Sequence, residues 1–237
     1  MTSSMHTEIR KPIYELITRL IDIVLSGSAL LVLSPLLIPL MILLKLTGEG
    51  YVFYLQERIG YRGKPFNLIK FATMLKASPS MRTGTITLQC DPRVLPVGNL
   101  LRKTKINELP QIINVFLGDM TLVGPRPQTQ ECYEYFPEED REKIYWSRAG
   151  VTGIGSIVFR DEEEIIGRSG KPYDQCYRED IMPYKLALEL WYHRHRSLWV
   201  DGIILLLTVF VILSPSLELY SKLLRGLPDR SRYVPEE

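Results

Sequence analysis

Cysteine is scarce in this sequence and shows no metal-ligand spacing. The 237 residues include three cysteines, Cys90, Cys132 and Cys176, and none of them forms a Cys-x-x-Cys pair. This pattern excludes a disulfide framework and a cysteine zinc site. It is typical of a reduced protein that faces the cytosol.

Strong net charge and low complexity are also missing. Lys and Arg number 29 and Asp and Glu 27, and a formal net charge of +2 excludes nucleic acid as a favoured partner. Apolar residues make up 46% of the chain and charged residues 24%, which excludes a disordered protein. The length fits one domain, with room for an appendage.

One long apolar run stands out against this ordinary composition. Residues Ile23 to Leu44 carry no charge over 22 positions. A helix of that length reaches about 33 Å, close to the roughly 30 Å hydrocarbon core of a bilayer. No small-residue cleavage site follows, which excludes a secretory signal peptide. Ser34-Pro35 lies at the midpoint, where proline removes a helical hydrogen bond and a serine hydroxyl can help satisfy the freed carbonyl.

Three interpretations of this run are open. Basic residues such as Arg19 and Lys45 flank both of its ends. Because positive residues mark the cytoplasmic side, a re-entrant hairpin broken at Ser34-Pro35 accounts for both the flanks and the prolines. A kinked transmembrane span and a buried core helix are the alternatives.

A second apolar run is too short to cross a bilayer. Gly202 to Leu213 covers 12 residues, about 18 Å as a helix. Aromatic and basic residues surround it, so we interpret 183–226 as helices at the membrane surface. An ordinary helical core is the alternative.

In the polar region between the two runs, the β-branched and aromatic residues of YVFYLQ (51–56) predict a strand, and residues 76–90 are typical of a loop. The richest motif of this region lies at 101–127. Apolar residues of ELPQIINVFL follow a helical period, with Asn107 as the predicted N-cap and Glu108 in the first turn. Several basic residues surround this helix start, a setting that favours phosphate binding. A carboxylate there commonly holds a divalent cation whose shell substrate phosphates complete. The turn 124–127 would hold Arg126 rigidly.

These segments resemble the bacterial sugar transferases, the monotopic phosphoglycosyl transferases, over roughly 11–217. The residues that carry the resemblance occur in the family's order: the apolar helix broken at Ser34-Pro35, QERIGYRGKPF (56–66), KFATM (70–74), DPRV (91–94), LRKTKINELPQIINVFLGDMTLVGPRP (101–127), RAGVTG (148–153) and SLWVDGIILLLT (197–208).

The resemblance implies an α+β, mainly helical, monotopic membrane protein on the cytoplasmic face of the inner membrane. It implies transfer of a phosphosugar from a UDP-sugar to polyprenyl phosphate, usually undecaprenyl phosphate, with Mg²⁺ and release of UMP. A homodimer and downstream glycosyltransferases are candidate partners. The predicted division is an N-terminal segment 1–20, a hairpin 21–46, a catalytic domain 47–182, interfacial helices 183–226 and a tail 227–237.

Candidate site residues follow from the motif and the resemblance together. Asn107 marks the nucleophile position, and Glu108 is the predicted Mg²⁺ ligand. Asp119 is either a further carboxylate at the metal or a turn residue. Ser34 and Pro35 shape the hairpin. The predicted phosphate- or substrate-binding residues are basic, with a solvated surface charge as the alternative for each: Lys70, Arg93, Arg102, Arg126, Arg148 and Arg160.

One departure from the family pattern concerns the chemistry itself. The family has Asp-Glu where this chain has Asn107-Glu108, and an amide is a far poorer nucleophile than a carboxylate. Attack by Glu108, direct transfer between the two phosphates and loss of activity are all open. A membrane-bound binding or regulatory homologue is therefore the alternative to an enzyme, and a plain scaffold is a third, weaker one.

Overall fold

The computed structural model describes residues 12–47, 49–78, 93–213 and 219–233. These residues form a mainly helical α+β fold, which confirms the predicted class. The helices are α1 Pro12–Leu46, α2 Pro96–Lys103, α3 Gln111–Leu117, α4 Gln130–Glu134, α5 Glu138–Ile144, α6 Ile154–Val158, α7 Glu162–Ser169, α8 Tyr173–Cys176, α9 Met182–His195, α10 Leu198–Leu213 and α11 Tyr220–Leu223; the strands are β1 Phe53–Ile59, β2 Pro65–Phe71, β3 Met120–Val123 and β4 Ala149–Thr152.

Helix α1 is one continuous element of 35 residues that includes Pro35 and Pro39. Pro35 cannot donate to the carbonyl of Leu31, four residues earlier. The Ser34 hydroxyl donates to that carbonyl instead, at 2.7 Å. The serine hydroxyl thus satisfies the carbonyl that the proline leaves free, while the re-entrant path and the role of Ser34 and Pro35 in it stay predictions. By length and composition alone, α1 is the one described helix that could cross a membrane.

Both halves of α1 pack on the globular part of the chain. In the first half, Arg19 donates to the Val115 and Phe116 carbonyls at the end of α3, at 2.6 and 2.8 Å. In the second half, Leu44 is buried in an apolar cluster with Phe71 of β2 and Leu101 of α2. The intervening residues leave large apolar side chains exposed, among them Leu31 and Val32.

Two small sheets flank helix α3. Strands β1 and β2 form an antiparallel hairpin, and β3 and β4 form a parallel pair. The hairpin turn lies at Gly60–Lys64, so β1 extends to Ile59 and beyond the predicted strand at 51–56. Asn114 of α3 connects to β2: its amide donates to the Asn67 carbonyl at 2.8 Å and its oxygen accepts from the Ile69 N–H at 2.9 Å. Most of the predicted loop at 76–90 lies outside the described residues.

Two backbone segments approach each other very closely at three glycines. We call this contact, formed by Gly124, Gly150 and Gly153, the glycine crossing. A Cβ on Gly150 would lie 2.2 Å from the Gly124 nitrogen, and one on Gly153 would lie 2.2 Å from the Gly124 oxygen. No side chain fits at such distances. The crossing joins the end of β3 to β4 and fixes where the chain leaves for Arg126.

The predicted interfacial segment 183–226 contains two kinds of helix. Helix α9 follows α8 through a π-helical stretch at Tyr177–Ile181, and its Leu188 and Tyr192 are core residues. The alternative of an ordinary core helix therefore holds for α9. Helix α10 buries Ile204 and Leu207 but exposes a row of apolar side chains on its other side: Leu198, Trp199, Leu206, Val209 and Phe210.

Candidate active site

The β1–β2 hairpin places three polar side chains on one face. Gln56 pairs with Leu68 and Tyr54 with Lys70 across the hairpin, and side chains alternate along each strand. Gln56, Arg58 and Lys70 therefore share a face. The Gln56 Oε1 accepts from the Lys70 ammonium at 3.1 Å and from the Arg58 Nη2 at 3.0 Å.

Burial changes the acid–base properties of this face. It lowers the pKa of Lys70 to about 7; the Glu108 carboxylate opposes this change, and the charges of Arg58 and Arg126 add to it. Burial also lowers the pKa of Arg58, with a further contribution from Arg126. These mutual effects show that the cations lie close enough to repel one another.

The approach to helix α3 differs from the predicted capped start. Lys105 adopts a left-handed conformation with φ 58°, a 3-10 turn follows at Ile106–Glu108, and α3 begins only at Gln111. The N-cap prediction for Asn107 is therefore wrong. Pro110 has no N–H to donate into a continuous helix, so the first turn separates from α3. The predicted phosphate site at this helix start stays a prediction.

Glu108 nevertheless reaches the site, and Asn107 beside it in the chain is buried. Asn107 is 7% exposed, and its Oδ1 has no hydrogen-bond partner among the described residues. The Glu108 Oε1 lies 3.9 Å from the Arg126 Nη2. Burial acts to raise the pKa of Glu108, but the charges of Arg126, Lys70 and other cations outweigh it and hold the pKa below its usual value. Glu108 is therefore an ionised carboxylate at neutral pH.

Arg126 projects from the turn that follows the glycine crossing. The Pro125 carbonyl accepts from the Gly150 N–H at 2.8 Å, and the Pro127 carbonyl accepts from the Arg58 Nη1 at 3.4 Å. These contacts bring the turn to the hairpin, as the predicted clamp requires. A small cavity between them is lined by Arg58, Leu68, Lys70, Gln111, Arg126 and Pro127.

The remaining predicted basic residues are not among those that line this cavity, and each makes other contacts. Arg102 belongs to the site's electrostatics, because its charge contributes to the lowered pKa of Lys70. Arg93 is buried and donates to the Ser78 carbonyl at 2.7 Å. The Arg148 guanidinium lies 5.9 Å from the centre of the Tyr61 ring. Arg160 donates to the Val211 carbonyl on α10.

Asp119 lies at the opposite end of α3 from Glu108. It follows the helix, and its carboxylate accepts from the Asn114 amide at 3.3 Å. This placement agrees with the turn-residue alternative. Among the described residues, no group of three or more His, Cys, Asp or Glu side chains could hold a metal ion. The Glu108 carboxylate and the unpartnered Asn107 oxygen are of the donor type that fits Mg²⁺, which commonly takes one or two protein oxygens and completes its shell with phosphates, and the metal role stays a prediction.

Gln56 and Arg58 were not predicted as site residues. Both lie in the segment QERIGYRGKPF, which carries part of the family resemblance, but the sequence assigned neither of them a role. The signal that could have found them is the two-residue period of the strand, which puts Gln56 and Arg58 on one face, together with Lys70 on the partner strand. The strand prediction ended at residue 56 and so did not extend to Arg58.

The described geometry is that of a phosphate-handling protein: a cation cluster with one carboxylate, beside a long apolar helix. Comparison with known proteins agrees. The chain belongs to the bacterial sugar transferase family, whose profile matches residues 13–215.

Individual relatives are similar over most of this chain. The "UDP-glucose:undecaprenyl-phosphate glucose-1-phosphate transferase" of Escherichia coli K12 is 36% identical over 82% of this chain and 40% of its own length. The Aeromonas hydrophila "UDP-N-acetylgalactosamine-undecaprenyl-phosphate N-acetylgalactosaminephosphotransferase" is 32% identical over 86% of this chain and 45% of its own length. The chain thus spans less than half of these relatives. It matches 86% of the "Exopolysaccharide production protein ExoY" of Rhizobium meliloti, which is 32% identical over 84% of this chain.

Proposed function

We propose that this protein transfers a sugar phosphate from a UDP-sugar to undecaprenyl or another polyprenyl phosphate, releases UMP, and so starts an exopolysaccharide or related glycan. The observation that carries the proposal is the cation cluster of Arg58, Lys70 and Arg126 around the single carboxylate of Glu108. Two phosphorylated substrates both carry negative charge, so they need such a cluster of cations to bind close together. Relatives with transferase names act on the same kinds of substrate.

The contacts of α1 support a monotopic arrangement at the cytoplasmic membrane. Near its first end, the Tyr14 hydroxyl donates to Asp201 of α10 at 2.7 Å, and near its other end Leu44 packs on β2 and α2. A helix that crossed the bilayer could not have both of its ends against one water-facing domain. We therefore propose that α1 enters and leaves on the cytoplasmic side, with the helix bent near Ser34-Pro35.

The basic residues would bind and orient the diphosphate. Lys70, Arg58 and Arg126 face the cavity, and charge on the leaving UMP would be stabilised by the same groups as it develops. Glu108 and the Asn107 oxygen would hold Mg²⁺ when it binds, and the ion would neutralise phosphate charge. We expect chelation by EDTA to abolish UMP release and added Mg²⁺ to restore it.

The absence of a carboxylate at position 107 favours direct transfer. A terminal oxygen of the lipid phosphate would form a bond to the β-phosphorus while the bond from that phosphorus to the bridging oxygen breaks, and UMP leaves with that oxygen. Attack by Glu108 is less favoured, because surrounding cations hold its pKa low and reduce its nucleophilicity.

The test is UMP release in detergent or nanodiscs, with and without undecaprenyl phosphate, using UDP-glucose, UDP-galactose and UDP-N-acetylgalactosamine. We expect lipid-dependent release by the wild type and at least a hundredfold loss in Arg126→Ala, of the order reported for transition-state contacts. Arg168→Ala, an exposed arginine of α7, is the matched control. No release from any of these UDP-sugars by folded wild-type protein would count against the proposal.

Intact-mass measurement distinguishes the routes of transfer. Direct transfer predicts no phosphosugar adduct on the wild type during turnover, whereas Asn107→Asp could form one. An adduct on the wild type that disappears in Glu108→Gln would instead identify Glu108 as the nucleophile.

A further inference from the structure

The Gln56 amide oxygen lies between two cations of the cavity. It accepts one hydrogen bond from Lys70 at 3.1 Å and another from Arg58 at 3.0 Å. An amide oxygen has two lone pairs, so both bonds can form at once. A neutral group thus holds together two like charges that would otherwise repel.

The neutral charge of the Gln56 amide matters because the surrounding side chains are mostly basic. The groups whose charges act on Lys70 include Arg58, Arg102, Arg126 and Glu108. With Lys70 itself there are four basic groups and one carboxylate. The Glu108 carboxylate lies 3.9 Å from the Arg126 guanidinium, and among the described residues neither Lys70 nor Arg58 forms an ion pair with an acidic side chain.

We propose that Gln56 is a positioning residue that fixes Lys70 and Arg58 side by side without neutralising them, so that their charge remains available to a phosphate oxyanion. A carboxylate at this position would also hold the two cations, but it would compete with the substrate for them. A small apolar residue would leave the cations free to separate. This inference rests on the proposed function for the identity of the phosphate group, which belongs either to the UDP-sugar or to the polyprenyl phosphate.

The hairpin offers a matched control for the decisive substitution. Gln56→Glu converts an amide to a carboxylate of the same shape. Asn67→Asp makes the same chemical change on the partner strand, at an exposed position on the other face of the hairpin, opposite Glu57. The two variants therefore add the same charge to the same small sheet, and they differ in which face receives it.

The proposal predicts opposite effects on stability and on substrate binding. Gln56→Glu should raise the thermal midpoint or leave it unchanged, because the new carboxylate pairs with two half-buried cations. It should also raise the KM of a phosphorylated substrate about tenfold or more, since a unit charge roughly 4 Å away has a large effect in a partly screened site. Asn67→Asp should leave both KM values within about twofold. Gln56→Leu should lower both the thermal midpoint and the affinity.

Separate measurements identify the source of the phosphate. KM is determined for the UDP-sugar at saturating undecaprenyl phosphate, and for undecaprenyl phosphate at saturating UDP-sugar. Binding of UDP to the full-length protein in detergent is measured by calorimetry, without lipid and without turnover. A rise in either KM, or weaker UDP binding, in Gln56→Glu supports the inference and shows which phosphate contacts the pair.

The outcome that would overturn the inference is distinguishable from failure of the proposed function. If the wild type turns over and Gln56→Glu keeps both KM values and its UDP affinity, the inference is wrong and the function stands. If the wild type releases no UMP, the function fails, and the inference is then judged by binding of UDP and of undecaprenyl phosphate alone. A parallel loss of thermal midpoint and affinity in Gln56→Glu would indicate a merely structural role and would also overturn it.

Discussion

Glu189 of α9 is an enclosed carboxylate behind the Arg126 turn. It is 5% exposed, and its Oε2 has no hydrogen-bond partner among the described residues. Burial raises its pKa to about 7, while the Lys185 ammonium and the Arg126 backbone N–H oppose the change. A Cβ on Gly155 would lie 2.5 Å from the Glu189 Oε1, so the small residue at 155 makes room for the carboxylate.

This burial predicts a pH dependence of stability. The ordinary pKa of 4.5 applies in the unfolded chain and about 7 in the folded protein, so the folded state binds the proton more tightly. The free energy of unfolding should therefore fall as the pH rises from about 4.5 to about 7, by at most about 3 kcal/mol from this group. In Glu189→Gln that part of the slope should disappear, as measured by the unfolding midpoint in detergent micelles at pH 5, 6, 7 and 8.

An exposed glutamate provides the comparison for this experiment. Glu142→Gln on α5 removes a carboxylate that faces solvent and should leave the pH profile of the wild type unchanged. If Glu189→Gln shows the same dependence as the wild type over this range, Glu189 does not carry a raised pKa in the folded protein.

Residue identities in the site were partly accessible from the sequence. The block at 101–127 identified Glu108 and Arg126, and the structure brings both to the cavity with Lys70. The strand period alone places Gln56 on one face with Arg58, but a lone glutamine has no chemical signature until the strand register also places Lys70 beside it. Arg160 donates to the carbonyl of Val211, and its predicted phosphate role stays a prediction.

At the scale of elements, helix α2 depends on one close backbone approach. A Cβ on Gly98 would lie 2.2 Å from the Thr73 carbonyl oxygen, and the Leu95 N–H donates to that same oxygen at 2.9 Å. The helix thus lies directly on the chain that leaves β2. Arg102 is in its last turn, so the packing at Gly98 also positions one of the cations of the site.

Gly98→Ala should therefore lower the stability of the protein and also displace Arg102 from its position in the site. We expect a loss of about 1–3 kcal/mol, typical of overpacking in a tight contact, together with a raised KM for the UDP-sugar. Gly167→Ala in α7 is the control, since a Cβ there meets nothing within 4 Å. Gly167→Ala should leave the free energy of unfolding unchanged or raise it by up to about 1 kcal/mol, because alanine has the higher helix propensity. Equal thermal midpoints for the two variants would contradict the close contact at Gly98.

The same scale shows where local sequence rules fail. The period of ELPQIINVFL predicted a helix with Asn107 as its N-cap, and the structure places the N-cap three residues later, at Pro110. The apolar pattern was correct, but the left-handed Lys105 and the missing N–H of Pro110 separate the first turn from the helix. Such a detail depends on tertiary contacts that bury Asn107, and periodicity does not encode them.

At the scale of the whole molecule, the path of α1 decides how the protein meets the bilayer. Apolar length predicted membrane association, while the contacts that favour a same-side arrangement, such as Arg19 with the end of α3, appear only in three dimensions. The arginine was visible in the sequence as a flanking charge. Its partners are backbone carbonyls about 97 residues further along the chain, which no local pattern indicates.

Topology can be tested with single introduced cysteines. Glu8→Cys and Glu49→Cys, in a background with Cys90, Cys132 and Cys176 replaced by serine, should both react with a membrane-impermeant maleimide from the cytoplasmic side only. Labelling of the two positions from opposite sides would overturn the monotopic arrangement. Thiol labelling after detergent permeabilisation shows that each site is reactive.

The glycine crossing has a consequence for how one wall of the cavity is held. Since a single methyl group does not fit between Gly124, Gly150 and Gly153, the Arg126 turn and β4 must move as one body. The hairpin on the other side meets this body through contacts such as the Ile59 N–H to the Gln128 carbonyl, at 2.8 Å. This wall of the cavity is therefore held by contacts between backbone atoms, so a side chain introduced at any of the three glycines should displace the Arg126 turn together with β4 and distort the cavity.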